Sequence, residues 1–291
     1  MVTNYVIVTD STANLTVDMI EKYQLEVLSL NYYVDGKEIK GYEKGKAQDL
    51  AAFYHMMREQ KEITTSLPSM EEAEGVFESI LKNGKDVLYI GFSSGLSGTF
   101  QAASLVADQM QEKYPDRKVI SIDSLAAALG QGLLVYYAVQ NREKGMSLEE
   151  NAQWVREHIQ NLCHWFTVDD LLFLKRGGRI SAATAVVGSV LSIKPVLHVD
   201  SEGHLIAKGK VRGRKKALDS LVQHMEETVT DPKEQLVCIS HGDCLEDAEY
   251  VAKKIQEKFE VKEVMIHILD PVIGAHAGPG TVALFYLGTE R

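Results

Sequence analysis

The residues able to carry chemistry fall in a few short stretches. Gly91-Phe92-Ser93-Ser94-Gly95 has the spacing G-x-S-x-G. In serine hydrolases this pattern raises a nucleophilic serine on a sharp strand-to-helix turn. Asp270 and His276 follow in the chain order Ser, Asp, His, so a serine esterase or acyl hydrolase acting through Ser93 is one reading. The loop continues as Leu96-Ser97-Gly98-Thr99, and a helix-forming run, Gln101-Ala102-Ala103-Ser104-Leu105, follows. Several hydroxyls beside the free N–H groups of a helix start make a natural anion cradle, which is the second reading. A plain structural turn is the third.

Other stretches offer smaller pieces. In Thr64-Thr65-Ser66-Leu67-Pro68-Ser69, Ser69 can cap a helix with Glu72 three residues on, which leaves Thr65 free to face a ligand. His276, taken alone, reads as a structural histidine. Its flank Gly278-Pro279-Gly280 lets backbone approach a ligand closely. Arg176-Gly177-Gly178-Arg179 is either a phosphate contact or a solvated turn. The run from Lys208 to Lys216 is the one dense basic patch, placed where a helix should begin and where cations oppose the helix dipole. It suggests an acidic or phosphorylated partner. Cys238, His241 and Cys244 fit no common zinc spacing, and neither a phosphate loop nor a dinucleotide fingerprint occurs, so no metal and no cofactor is expected.

These residues need elements to hold them. Apolar runs at 6–8, 86–90 and 118–122 read as strands, each ending in polar residues: Asp10-Ser11, Ser93-Ser94 and Asp123-Ser124. Residues 26–34 read as a further strand with a hairpin turn at Asp35-Gly36. Helical spacing over 47–60, 69–83, 125–143 and 147–161 alternates with the strands, which predicts an α/β fold with a mostly parallel sheet and helices on its faces. Ligands bind such sheets outside the carboxyl ends of the strands. After about residue 160 the pattern becomes mixed. A buried small-residue helix is expected before Ile193, then a hairpin at 196–208, a helix at 213–228, a strand at 235–240, a helix at 245–259, a strand at 261–268 and a last strand from Thr281 to Leu287. We expect two domains, 1–160 (α/β, with the polar loops) and 161–291 (mixed α+β).

Bulk composition narrows the classes. The 291 residues carry 41 acidic and 31 basic side chains, a net −10, which argues against general nucleic-acid binding. No apolar run approaches the roughly 20 residues of a membrane span. Three cysteines are too few for a disulfide framework, and the absence of a signal-peptide pattern points to the cytoplasm.

Taken together, Val8-Thr9-Asp10-Ser11-Thr12-Ala13, Thr64 to Ser69, Phe92 to Phe100, Leu174 to Ser181, Lys210-Val211-Arg212-Gly213 and His276 to Thr281 resemble the DegV family of bacterial fatty-acid-binding proteins, acyl-carrying subunits of fatty acid kinase. The segments occur in order over almost the whole chain. One departure is Leu67, where the family usually has Gln. The resemblance implies a long-chain fatty acid of the palmitate or oleate class buried between two domains. Its carboxylate would be held by Thr65, Ser93, Ser94 and His276, with Gly278 nearby, and its chain would lie in a tunnel of the second domain. It implies a non-catalytic carrier whose kinase partner phosphorylates the carboxylate. Arg176 and Arg212 match positions linked to kinase docking or to the phosphorylated head group, and transient membrane contact would serve lipid exchange.

Overall fold

In the computed structural model, residues 4–181 and 192–291 are described. The expected small-residue helix at 182–188 lies outside them. In chain order, β1 (Tyr5–Asp10) leads into α1 (Val17–Lys22), with Thr16 as its N-cap. β2 (Glu26–Leu28), β3 (Asn31–Val34) and β4 (Lys37–Lys40) follow, then α2 (Leu50–Arg58), β5 (Ile63–Ser66), α3 (Met70–Lys82), β6 (Asp86–Gly91), α4 (Thr99–Lys113), β7 (Val119–Asp123), α5 (Leu129–Glu143) and α6 (Leu148–His158). The second half holds β8 (Leu162–Thr167), α7 (Leu172–Arg176), β9 (Ile193–Val199), β10 (Leu205–Arg212), α8 (Arg214–Thr228), β11 (Leu236–His241), α9 (Leu245–Phe259), β12 (Glu263–Ile268), α10 (Pro271–Ala277) and β13 (Val282–Leu287).

The strands form three sheets. A parallel sheet has the order β2-β1-β6-β7, a small antiparallel one β4-β3-β5, and a six-stranded mixed one β10-β9-β8-β13-β11-β12. Strand periodicity assigns their faces. In β6, Val87 and Tyr89 pack on α3 and α4, through Phe77, Ile80, Val106 and Met110. Leu88 and Ile90 point the other way, into the core shared with α5. In β13, Ala283 and Phe285 face that same core, whereas Val282, Leu284 and Tyr286 face α8 and α9. The result is five layers, helix–sheet–helix–sheet–helix, with α5 at the centre. That position explains why α5 is buried nearly all round, from Leu129 to Val139.

Three expectations change. The run 26–34 is broken into β2 and β3, which join different sheets. Thr64, Thr65 and Ser66 are not a loop; they pair with β3 as Thr64↔Tyr33 and Thr65↔Tyr32. The segment before β13 contains a helix, α10, which begins with Pro271 behind the N-cap Asp270. The Asp35-Gly36 turn is present, with φ of 48° and 80° joining Val34 to Lys37, as a primed hairpin turn requires.

Candidate functional site

A cavity of about 180 Å³ lies between the N-terminal loops and the inner face of the six-stranded sheet. Its apolar walls come from Leu30, Phe92 and Leu96, from Ala127 and Ala128 ahead of α5, from Phe166, Val199 and Leu205, and from Val272, Ile273, Ala283 and Phe285. The polar lining is sparse: Thr65, Ser66, Ser97, His164, Arg179, His276 and Thr281. Leu67 also lines it and is 42% exposed, so this side of the cavity meets solvent.

At that end, β5 brings Thr65 to the last turn of α10, where Thr65 Oγ1 lies 2.8 Å from His276 Nε2. Burial, reinforced by the neighbouring Arg179, lowers the His276 pKa to about 4, so the ring is neutral at pH 7. Asp270 anchors the helix by accepting hydrogen bonds from the N–H groups of Val272 (2.8 Å) and Ile273 (3.2 Å). Glycine supplies the room. A Cβ at Gly177 would sit 2.2 Å from His276 Nδ1, and one at Gly278 would sit 2.5 Å from the Phe173 ring. Gly177 and Gly278 are therefore what let α7 and α10 close around the imidazole.

Arg179 is the site residue that the motif reading passed over in favour of Arg176. Its Nε donates to the Leu96 carbonyl at 3.1 Å and its Nη1 to that of Gly177, which aims the guanidinium along the cavity wall. No carboxylate pairs with it among the described residues. Arg176 is exposed, with its guanidinium 4.6 Å from the Phe173 ring. Its Nε donates to its own helix at Leu172 O. Arg212 is exposed on the edge strand β10, beside Lys208, Lys210, Lys215 and Lys216. Arg214, the first residue of α8, is held by Asp247 at 2.8 Å and Asp169 at 3.6 Å, which offsets its poor position at a helix N-terminus.

The serine loop serves a different purpose. Ser93 is fully buried, and its hydroxyl donates to Gly203 O at 2.9 Å on the β9–β10 hairpin. It also accepts the Gly95 N–H at 3.2 Å. The Ser94 N–H donates to Asp123 at 3.2 Å. Neither serine lines the cavity, and neither does Gly278; Ser97, three residues on, does. Asp10 accepts the N–H of Phe92 at 2.9 Å, and Ser11 accepts that of Leu30 at 3.0 Å. The polar strand ends thus tie the loops to one another. The hydrolase constellation is not assembled: His276 is bonded to Thr65, Asp270 caps the same helix as His276, and Ser93 is engaged with Gly203. Ser69 does cap α3 through the Glu72 N–H, but the Glu72 side chain pairs with Lys40 and completes no capping box.

A second cavity, about 160 Å³, lies at the carboxyl end of β1 and is lined by Asp10, Asn14, Tyr42, His267 and Asp270 among others. Asp270 Oδ2 is buried without a partner. Burial drives the Asp270 pKa up to about 7.

A five-layer α/β fold with a largely apolar cavity between its two large sheets defines the class of protein. The chain belongs to the DegV family: the model for this family of uncharacterised proteins matches residues 4–289. A DegV domain-containing protein of Clostridium perfringens is 44% identical over 289 residues, covering 99% of this chain and 98% of the relative. A Thermus thermophilus DegV structure described by its fatty-acid binding is 31% identical with a TM-score of 0.88, covering 98% and 99% of the two chains. The DegV structure of Bacillus subtilis, a fatty acid binding protein, is 28% identical with a TM-score of 0.84 over 99% of this chain and 100% of its own. A stearic acid-binding protein of Eubacterium ventriosum is 26% identical, with a TM-score of 0.86 over 97% of each chain. Among the described residues no helix is long and apolar enough to cross a membrane.

Proposed function

We propose that this protein carries a long-chain fatty acid, with the carboxylate at the Thr65–His276 end and the chain along the apolar wall. The carrying observation is the grouping of Thr65, His276 and Arg179 on a cavity whose lining is otherwise largely apolar. A buried carboxylate needs charge-assisted hydrogen bonds to offset desolvation. A neutral His276 with its proton on Nε2 donates to Thr65 Oγ1, which frees the threonine O–H to donate to the ligand. Arg179 supplies the positive charge that neutral His276 lacks. Each buried methylene then adds about 0.8 kcal/mol, so affinity comes from chain length and needs no catalytic group.

The headgroup contacts proposed here are Thr65, His276, Arg179 and Ser97. Ser93, Ser94 and Gly278 support the loops around them. The exposed cations Arg176 and Arg212 suit docking of an acidic partner surface, consistent with presentation of the carboxylate to a fatty acid kinase for acyl-phosphate formation. Native mass spectrometry of the purified protein tests the reading, with a co-purified species of fatty-acid mass expected. Protein that is empty as purified, and that takes up neither palmitate nor oleate, refutes it. A fluorophosphonate probe is expected to leave Ser93 unlabelled.

A further inference from the structure

Resting on the fatty-acid reading above, we infer that His164 sets the length of acyl chain that the cavity accepts. The exposed lining residue Leu67 lies beside Thr65 and Ser66, so the polar end is also the solvent side. Thr281 bonds back to the carbonyls of Ala277 and Gly278 beside His276, and His164 pairs with Phe285 four residues further along the inner face of β13, away from that end. His164 is 1% exposed, and with Thr281 it is one of two buried polar side chains on that face among the described residues.

Three contacts fix its ring. Nδ1 lies 3.2 Å from Leu162 O, a bond that requires the proton on Nδ1. The ring meets Phe285 edge-on, with centroids 5.3 Å apart and planes at 90°. Nε2 fills the notch that Gly130 leaves in α5: a Cβ there would lie 2.2 Å from it. Nε2 therefore carries a lone pair, is buried, and has no hydrogen-bond partner. Burial keeps the ring uncharged, so it offers nothing to a carboxylate. A leucine would fill this volume without an orphaned acceptor, and it would yield to a longer chain by changing rotamer. The imidazole cannot turn without losing Leu162 O and striking α5. An unyielding wall is what discrimination by length needs, and it is the gain that accompanies the unsatisfied nitrogen.

The two sides of the notch predict opposite effects. His164→Ala removes the wall and should shift binding toward longer chains. Gly130→Ala drives the ring into the cavity and should shift it toward shorter ones. Delipidated wild type and variants, with folding confirmed by circular dichroism, would be offered an equimolar series of straight-chain saturated fatty acids and analysed by native mass spectrometry. The ratio of eicosanoate to hexadecanoate bound should rise about tenfold in His164→Ala, the worth of one to two buried methylenes, and fall in Gly130→Ala. His164→Val serves if the alanine variant does not fold, with a smaller rise expected. Wild type that binds the series while folded variants keep its profile overturns this inference alone. Wild type that binds no member of the series removes the fatty-acid reading and the inference with it.

Discussion

At the scale of single residues, the site is a set of hydrogen bonds whose direction matters. Thr65→Ala removes the hydroxyl that His276 orients. A hydrogen bond to a charged group contributes about 1.5–3 kcal/mol, so fatty-acid affinity should fall roughly 10- to 150-fold in a fluorescent-ligand displacement assay, with the fold intact. Asp270 makes a second prediction, this time about pH. Its pKa is raised from 3.8 to about 7 in the folded protein, so the folded state binds the extra proton between those values. The resulting stabilisation is complete below pH 4 and is lost as pH rises through 7, by no more than about 4 kcal/mol. His276 and His198, both lowered to about 4, work in the opposite sense and lose stability as pH falls from 6.5 to 4. Asp270→Asn isolates the first contribution: in urea unfolding, the variant should gain on wild type as pH rises from 4 to 7.5. A difference that is flat across this range would mean that Asp270 does not titrate there. Residue types alone leave Thr65 as a hydroxyl free to face a ligand and His276 as a structural histidine; what names the two together is the family resemblance, and their contact joins residues 211 apart in the chain. Arg179 could not be separated from Arg176, because only the packing of α7 on α10 decides which guanidinium turns inward.

At the scale of elements, the glycines fix which surfaces meet. Gly203 has φ of +83°, and a Cβ there would lie 2.1 Å from Ser93 Oγ. Gly36 has nearly the same φ, +80°, with open space around it. Alanine at Gly36 should therefore cost only the backbone penalty, about 1 kcal/mol, whereas alanine at Gly203 adds the clash and should cost about 2–3 kcal/mol. Chemical denaturation midpoints of the two variants test this, and equal shifts would show that the hairpin does not bear on the serine loop. Most strands and helices were legible from periodicity and caps; α9, at 245–259, matches its expected bounds residue for residue. The misses share a cause. β5, Ile63–Ser66, is only four residues long and is a strand through its pairing with β3, and α10 is a single short helix rich in Gly and Ala whose stability comes from Asp270 and from packing.

At the scale of the whole molecule, the two large sheets share α5, and the cavity borrows a wall from each half of the chain. Ligand binding should therefore stabilise the molecule as a unit. At a free fatty-acid concentration 100 times the dissociation constant the gain is about 2.7 kcal/mol, which corresponds to a melting temperature a few degrees higher than that of delipidated protein. Differential scanning calorimetry on both forms measures it, and coincident curves would place the ligand outside the fold. The sequence could indicate the alternation and the two sheet types, since these follow from local pattern. It could not indicate that α10, from the second half, returns to pack on α2 and β5 of the first. That return has a consequence in time. Thr65 and His276 are 211 residues apart in the chain. At about 5–20 residues per second of synthesis, the second half of the headgroup pair emerges roughly 10–40 s after the first. On the proposed fatty-acid reading, a nascent chain lacks half of the headgroup pair until His276 has emerged, and a fragment ending near residue 160 should carry no lipid.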